Sequence, residues 1–477
     1  MLQLRPTVAE PPRTAIERAL ILLERRLGPS KVLTAKDSCE RFSRDESETH
    51  PRTPDAVVLA ESPVDIVRAL AVASETGVPI TPRSGGTGRV GGAVPVGGGI
   101  VLSTLGMNQI KEIDRRENVC VVEPGLILGD LHRAVEAEGL FYPPDPNSLS
   151  ACTIGGNVAT NAGGPRAFKY GVTRNYVLGL EAMLIGGQQF FTGRRTTKGV
   201  TGYDVTGLIT GSEGTLALIG DITLRLIPKP ESVFTLVVLF ENVKDASLAV
   251  SEMIAGGLVP RCIELMDATT LQAIRAAGNP VDQRAGAMLI IEVDGDVEST
   301  ERAALRVQDA CDKAKALEVL VAQDPAQRDR LWAARREMSP AVRRMSKYKL
   351  SEDVVVPRQQ LTELLERVSV STDRLRVRSL TYGHAGDGNL HVNFLWDDES
   401  EREAVSKAIE QLFRDVVALG GTLSGEHGIG VLKAPYLPLE QPEALIQLQR
   451  DLKAVFDPKG LLNPGKIFDG AHSHAAC

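Results

Sequence analysis

The stretch from Arg83 to Gly99, RSGGTGRVGGAVPVGGG, constrains this chain more than any other, because eight of its residues are glycine. Glycine and proline both oppose a helix, so the backbone must run as an irregular loop after the short strand Val78-Pro-Ile-Thr81. With no Cβ in the way, successive N–H groups of such a loop can point at one anion. Gly86-Thr-Gly88-Arg-Val-Gly91 also has the GxGxxG spacing of a dinucleotide fingerprint. That fingerprint needs a helix starting at the loop, and GGAVPVGGG cannot start one, so an NAD-type site is rejected. One such loop alone would be read as tight surface turns. Two more follow, Ile154-Gly-Gly-Asn-Val-Ala-Thr-Asn-Ala-Gly-Gly164 and Gly211-Ser-Glu-Gly214. Three in one domain suggest an extended cofactor lying against backbone.

The 477 residues exceed one ordinary core and predict two or three domains. Residues 1–50 read as a Pro-broken lead and an amphipathic helix, and 51–230 as one α+β domain. Within the latter, Ser62 caps a helix with Pro63 in its first turn and Gly77 at its end. A second helix spans Leu126 to Glu138, and ITLRLIPKP is strand-like. The next segment, 231–440, has a different rhythm. Strand Val233–Phe240, helix Val243–Ile254, strands Cys262–Leu265 and Ala287–Val293, helix Thr300–Leu317 and strand Glu318–Ala322 make a ferredoxin-like order. A helix over Glu403–Leu419 puts Val405, Ile409, Leu412 and Val416 on one face. Leu445, Leu448, Leu452 and Val455 do the same in the last helix, within a terminal segment 441–477.

Composition narrows the function classes. Hydrophobic residues make up 43% and charged residues 24%, as in soluble globular chains. A net charge of −7 argues against nucleic acid as a partner. No apolar window is long enough to span a bilayer. Cys39, Cys120, Cys152, Cys262, Cys311 and Cys477 are scattered without a CxxC, which suggests free thiols in a reducing compartment. The expected location is cytoplasmic, with peripheral attachment at the inner face of the membrane as a variant.

Three of the seven histidines fall in two short motifs, Tyr-Gly-His384-Ala-Gly-Asp-Gly-Asn-Leu-His391-Val-Asn393 and Ser-Gly-Glu426-His427-Gly-Ile-Gly. AGDGN predicts a turn, so His384 and His391 lie on adjoining strand ends. Alternation then puts His391 and Asn393 on one face and Val392 and Phe394 on the other. Glycines around Glu426-His427 allow neighbouring side chains to converge. Two imidazoles with a carboxylate are a usual set for a catalytic divalent ion, and zinc, manganese and iron all suit it.

PRSGGTGRVGG, YPPDP, IGGNVATNAGG, KYG, TGYD and GSEGTL, in that order, resemble the FAD domain of vanillyl-alcohol-oxidase-type flavoproteins. The nearest resemblance is to the FAD-dependent D-2-hydroxyacid dehydrogenase branch, which holds D-lactate dehydrogenase, the glycolate oxidase flavin subunit and D-2-hydroxyglutarate dehydrogenase. It extends over roughly Pro51 to Lys466. The resemblance implies an α+β fold with a two-subdomain FAD-binding domain over 51–230. It also implies a substrate or cap domain with the metal motifs over 231–440, and a C-terminal helical segment 441–477 that returns to the FAD domain. By the same likeness Pro82, Arg83, Ser84, Gly85, Gly86, Thr87 and Gly88 would cradle the FAD pyrophosphate. Pro144, Ile154, Gly155, Gly156, Asn157, Thr160 and Gly164 would line the flavin and ribityl chain, with Glu213, Gly214 and Asn463 nearby. No histidine occurs between His50 and His132, so the flavin is expected to be non-covalent.

Matched to the family's metal motifs, His384, His391 and Glu426 would be the ligands and His427 the catalytic base. Arg335, Ser339, Lys349 and Asn393 would bind substrate. Zinc is the first expectation for the ion, with manganese or iron as alternatives. The implied reaction oxidises a D-2-hydroxy acid (D-lactate, glycolate or D-2-hydroxyglutarate) by hydride transfer to FAD with metal-assisted deprotonation. The implied electron acceptor is a quinone, a cytochrome or an electron-transfer flavoprotein, with a homodimer or partner subunits as the assembly. Two rival readings are a non-redox FAD enzyme of the ether-lipid synthase type and a flavin-loaded electron-transfer subunit.

Overall fold

The computed structural model describes residues 8–468, apart from 197, 277, 279–280, 323, 325, 329–330, 333–334 and 336–341. Ser339 and Cys477 therefore lie outside the described residues. The five other cysteines are buried free thiols.

Helix Pro63–Thr76 begins at Ser62, whose side chain accepts from Asp65 N, and ends at Gly77 in the left-handed region. It links strands Ala56–Leu59 and Ile80–Arg83, both of which pair parallel with Ile100–Ser103. Val32–Leu33 adds an antiparallel edge. The glycine loop therefore leaves the C-terminal end of one parallel strand and returns to its neighbour, where open α/β sheets bind ligands. A second, antiparallel sheet has the order Ile110–Asp114, Val119–Val122, Leu218–Arg225, Val177–Met183, Gln189–Gly193. Helix Ile154–Thr160, capped by Thr153, covers it, and Ile154 and Val158 enter that sheet's core.

The third sheet has seven antiparallel strands. Its first four stand in the order Glu318–Val321, Ser232–Phe240, Ala287–Gly295, Cys262–Met266, the ferredoxin-like arrangement read from the sequence. The sheet then continues through Arg378–His384, Asn389–Trp396 and Tyr348–Val355. Helices Leu361–Leu375 and Arg402–Ala418 follow Tyr348–Val355 and Asn389–Trp396 along the chain, and Thr422 bridges Val355 at the far edge. The second half thus repeats β-α-β-β-α, and the two halves join where Cys262–Met266 meets Arg378–His384. That seam has three paired positions: Glu264 with His384, Leu265 with Gly383, and Met266 with Tyr382.

Alternation along the strands divides this sheet into two faces. Leu236, Val238, Phe240, Leu350, Val354, Val392 and Phe394 pack under the helices together with Val250, Val307, Leu364 and Phe413. Met266, Leu380 and Tyr382 belong to the opposite face. By strand parity Glu264, Asp353, His384, His391 and Asn393 share that second face.

Val405, Ile409, Leu412 and Val416 are buried as expected. The last helix, Glu443–Phe456, differs. Leu445, Leu448 and Val455 are exposed, and Ile446 is its one buried residue. It is tied down by polar contacts instead, with Lys453 donating to Leu462 O at 2.8 Å. The period fixes which residues share a face, but not whether a neighbour covers that face. Beyond this helix the chain returns to the parallel sheet, where Leu462 bridges Ile80.

Candidate active site

The loop after Leu423 carries two candidate side chains, Glu426 and His427, with no regular structure to hold it. A buried acid on the adjacent edge strand does so. Asp353 Oδ2 accepts the N–H of Gly425 at 2.9 Å, of Glu426 at 2.9 Å and of His427 at 3.0 Å, and the Ser424 hydroxyl at 3.1 Å. Its Oδ1 accepts from Asn389 Nδ2 at 2.6 Å. Burial would raise the Asp353 carboxyl, but His427, Lys433, His391 and the Glu426 N–H together hold it well below the usual range. Glu213 grips the same loop from the other side, accepting Ile429 N at 2.7 Å and Gly430 N at 2.8 Å. Gly430 has φ 50°, and a Cβ there would lie 2.3 Å from Val90 O, so only glycine fits.

This anchoring brings Glu426 between the two strand histidines. Glu426 Oε1 lies 3.8 Å from His384 Nε2 and 3.6 Å from His391 Nε2. One ligand atom from each of the three lies within 4.8 Å of the others. His384 Nε2, His391 Nδ1 and Glu426 Oε2 are buried without a hydrogen-bond partner. Burial opposes a charge on His384, but Glu264 and Glu426 hold its pKa well above the ordinary value. Burial and the charge of His384 push His391 well below it. The unsatisfied His384 Nε2 and Glu426 Oε2, with His391 Nε2 turned to the same carboxylate, fit a divalent cation. His427 stacks on His391, with ring centroids 5.5 Å apart and planes at 13°. Burial pushes the His427 pKa below its ordinary value.

A cavity of about 390 Å³ runs from the glycine loops to this cluster. Its walls include Pro82 to Val90, Gly155 to Asn157, Thr160, Glu213 and Gly214, and it reaches Ser351, Tyr382, His391, Glu426 and His427. The backbone is packed close there: a Cβ on Gly85 would lie 2.7 Å from Ala151 O. Four of the expected cofactor residues stand behind this wall. Ile154 is in the core. Pro144 O meets His132 Nε2 at 3.0 Å, and Gly164 packs on Asp145. Asn463 Nδ2 donates to Glu213 O at 2.8 Å and Gly92 O at 3.1 Å, tying two cavity loops together.

The expected substrate residues are distributed unevenly. Arg335 is fully buried beside the histidines, with its guanidinium on Glu264 and over the Tyr382 ring at 4.8 Å. Asn393 Nδ2 donates to His391 O at 2.9 Å, and its Oδ1 is buried without a partner. Lys349 lines a small adjoining cavity that shares Arg89, Val90 and Ser351 with the main one. Burial, with Arg89 and Arg343 nearby, pushes its pKa down to about 7. Sequence reasoning missed Asp353, Glu264 and Glu213's grip on the histidine loop. For Asp353 the signal was present: two adjacent acids inside the apolar strand LSEDVVV need partners.

Comparison with known proteins accords with this geometry. The family described as FAD binding domain matches residues 54–193, and that described as FAD linked oxidases, C-terminal domain, matches residues 229–467. The glycolate oxidase subunit GlcD of Bacillus subtilis (strain 168) is 42% identical, over 90% of this chain and 92% of its own. D-lactate dehydrogenase of Anaerostipes hadrus is 35% identical, over 93% of this chain and 96% of its own. D-2-hydroxyglutarate dehydrogenase of Stutzerimonas stutzeri (strain A1501) is 30% identical, over 92% and 96%. Among solved structures, 4-ethylphenol oxidase from Gulosibacter chungangensis superposes with a TM-score of 0.80 at 18% identity, covering 97% of this chain and 98% of its own. An alkyldihydroxyacetonephosphate synthase gives 0.76 at 19% identity, covering 95% and 85%. At these identities the structural matches speak for the fold alone.

Proposed function

Given that this chain belongs to the FAD-linked oxidase family, as an FAD-dependent oxidoreductase, we propose that it oxidises a D-2-hydroxy acid to the 2-keto acid beside a divalent metal. The observation that carries this is the single cavity joining the glycine loops to His391, Glu426 and His427. In this reading residues 51–230 hold FAD, 231–440 hold metal and substrate, and 441–477 return to brace the cofactor loops through Asn463. His384, His391 and Glu426 would hold the ion, and the glycine loops the FAD. Bound FAD supplies the two-electron acceptor for the α-carbon, and a bound divalent ion the Lewis acid for the α-hydroxyl. An imidazole nitrogen of His427, half-buried and with its pKa pushed below the ordinary value by desolvation, takes the hydroxyl proton. Arg335, held on Glu264, and Asn393 would meet the substrate carboxylate from behind the cavity wall, and Lys349 borders the adjoining cavity together with Arg89 and Arg343.

The name of the Bacillus subtilis relative, a subunit, supports partner subunits here. A quinone, cytochrome or flavoprotein would collect the electrons. Among the described residues no helix is long and apolar enough to cross a membrane.

Anaerobic mixing with D-lactate, glycolate and D-2-hydroxyglutarate tests the reading, because at least one should bleach the yellow chromophore. Bleaching by none of them would favour the non-redox or electron-carrying alternatives. Acid denaturation should release FAD, not FMN, into solution, since the first glycine loop contains no histidine to link it. Flavin remaining on the precipitated chain would contradict non-covalent binding. Chelation should abolish turnover with FAD still bound, and a divalent ion should restore it. His391→Ala should behave as the chelated protein does, and full turnover in that variant would remove His391 from the ligand set.

A further inference from the structure

Glu264 lies in the middle of strand Cys262–Met266, completely buried in an otherwise apolar strand. Sheet register sets it directly opposite His384. Its Oε1 is hydrogen-bonded to His384 Nδ1. Its Oε2 accepts from Arg335 Nε at 2.7 Å and is ion-paired with the terminal guanidinium nitrogen Nη2 at 2.6 Å. Both oxygens are therefore committed, one to a histidine of the metal cluster and one to an arginine beside it.

The consequence for His384 is directional. With Nδ1 engaged, Nε2 is the nitrogen left to face Glu426, at 3.8 Å, and it has no hydrogen-bond partner. An imidazole whose second nitrogen donates to a carboxylate has its tautomer and ring orientation fixed and is a stronger ligand. The consequence for Arg335 is similar. Its long side chain would otherwise sample many rotamers, and the carboxylate holds its planar fork in one place over Tyr382. Glu292, a buried acid on the adjacent strand, does not compete for this role. It is occupied by Thr235 at 2.8 Å, Trp332 at 2.5 Å and Arg261 at 3.4 Å.

We propose that Glu264 is a positioning residue serving both sides of the reaction site. One oxygen orients His384 toward the metal, and the other orients Arg335 toward the substrate carboxylate. This rests on the function proposed above. Buried ion pairs seldom add net stability over apolar packing, so a histidine–carboxylate–arginine row on one face of the sheet is better explained by what it orients.

The test is metal affinity, measured on FAD-loaded full-length protein by competition with a chromophoric chelator for zinc or manganese. Glu264→Gln should bind the metal about 10–100-fold more weakly with its FAD content unchanged. At saturating metal its kcat should recover, while KM for the hydroxy acid stays raised because Arg335 has lost its anchor. The double variant Glu264→Leu/Arg335→Met leaves no uncompensated charge in the core and should fold. It should show the same loss of metal affinity. Wild-type metal affinity in either folded variant would overturn the His384 role, and a wild-type KM in Glu264→Gln at saturating metal would overturn the Arg335 role. Wild-type protein that takes up no divalent ion in the same titration would instead refute the metal in the proposed function.

Discussion

Replacing His427 with alanine is expected to slow turnover by about 10²–10⁴-fold with FAD and metal both retained. Three features support this. His427 lines the cavity, whereas its backbone N–H alone is spent on Asp353, at 3.0 Å, so the loop keeps its anchor in the variant. Its ring lies flat against His391, which places it at the edge of the metal cluster without adding to the three atoms that converge there. Burial lowers its pKa, so the imidazole is neutral and able to accept a proton at neutral pH. Glu426→Gln should fail differently, losing metal and with it both substrate affinity and turnover. Metal analysis with stopped-flow flavin reduction on the two variants separates the roles. A metal-free His427→Ala, or a fully metallated but slow Glu426→Gln, would require exchanging them.

Asp353→Ala should be the most destabilising single change near the site, by about 3–5 kcal/mol, the range for breaking a buried charge network from one side. The loss has several parts. Three successive N–H groups of the loop lose their common acceptor, and Asn389 Nδ2 loses one of its two. Lys433 keeps its backbone acceptors, Asp353 O and Leu423 O, each at 2.7 Å, but loses a nearby negative charge. Without the anchor Glu426 is no longer delivered to the histidines, so metal should be lost as well. Denaturant unfolding followed by flavin fluorescence, together with metal content, measures both. An unfolding midpoint and metal occupancy equal to wild type would show that Glu213 alone holds the loop.

The glycine loops and the two histidine motifs were legible in the sequence because each is local and tolerates few residue types. A loop that brings its backbone to within 2.7 Å of another, as at Gly85, must spell itself in glycine. Two histidines flanking a turn announce their own proximity. Glu264 could not be read this way, because it meets His384 across 120 residues and only strand register brings them together. The second β-α-β-β-α unit was equally hidden, since 331–345 separates it from the first and its last strand is reduced to the single bridge at Thr422. The stripe on the last helix was legible as a stripe, but its exposure depends on neighbours that no periodicity reports.

The seam between the two halves of the seven-stranded sheet has a mechanical meaning. Strands Ser232–Phe240 and Ala287–Gly295 are joined along nine residue pairs, whereas Cys262–Met266 and Arg378–His384 are joined along three. Opening free energy within a fold follows how much pairing and packing must be broken, and this short joint is extended past its last pair by Asp267, whose N–H donates to Thr381 O and whose Oδ2 accepts from Thr381 N at 2.7 Å. The contact of Glu264 with His384 lies across that joint, on the face where Arg335 also meets Glu264. A small change in twist between the halves would therefore alter the reach of His384.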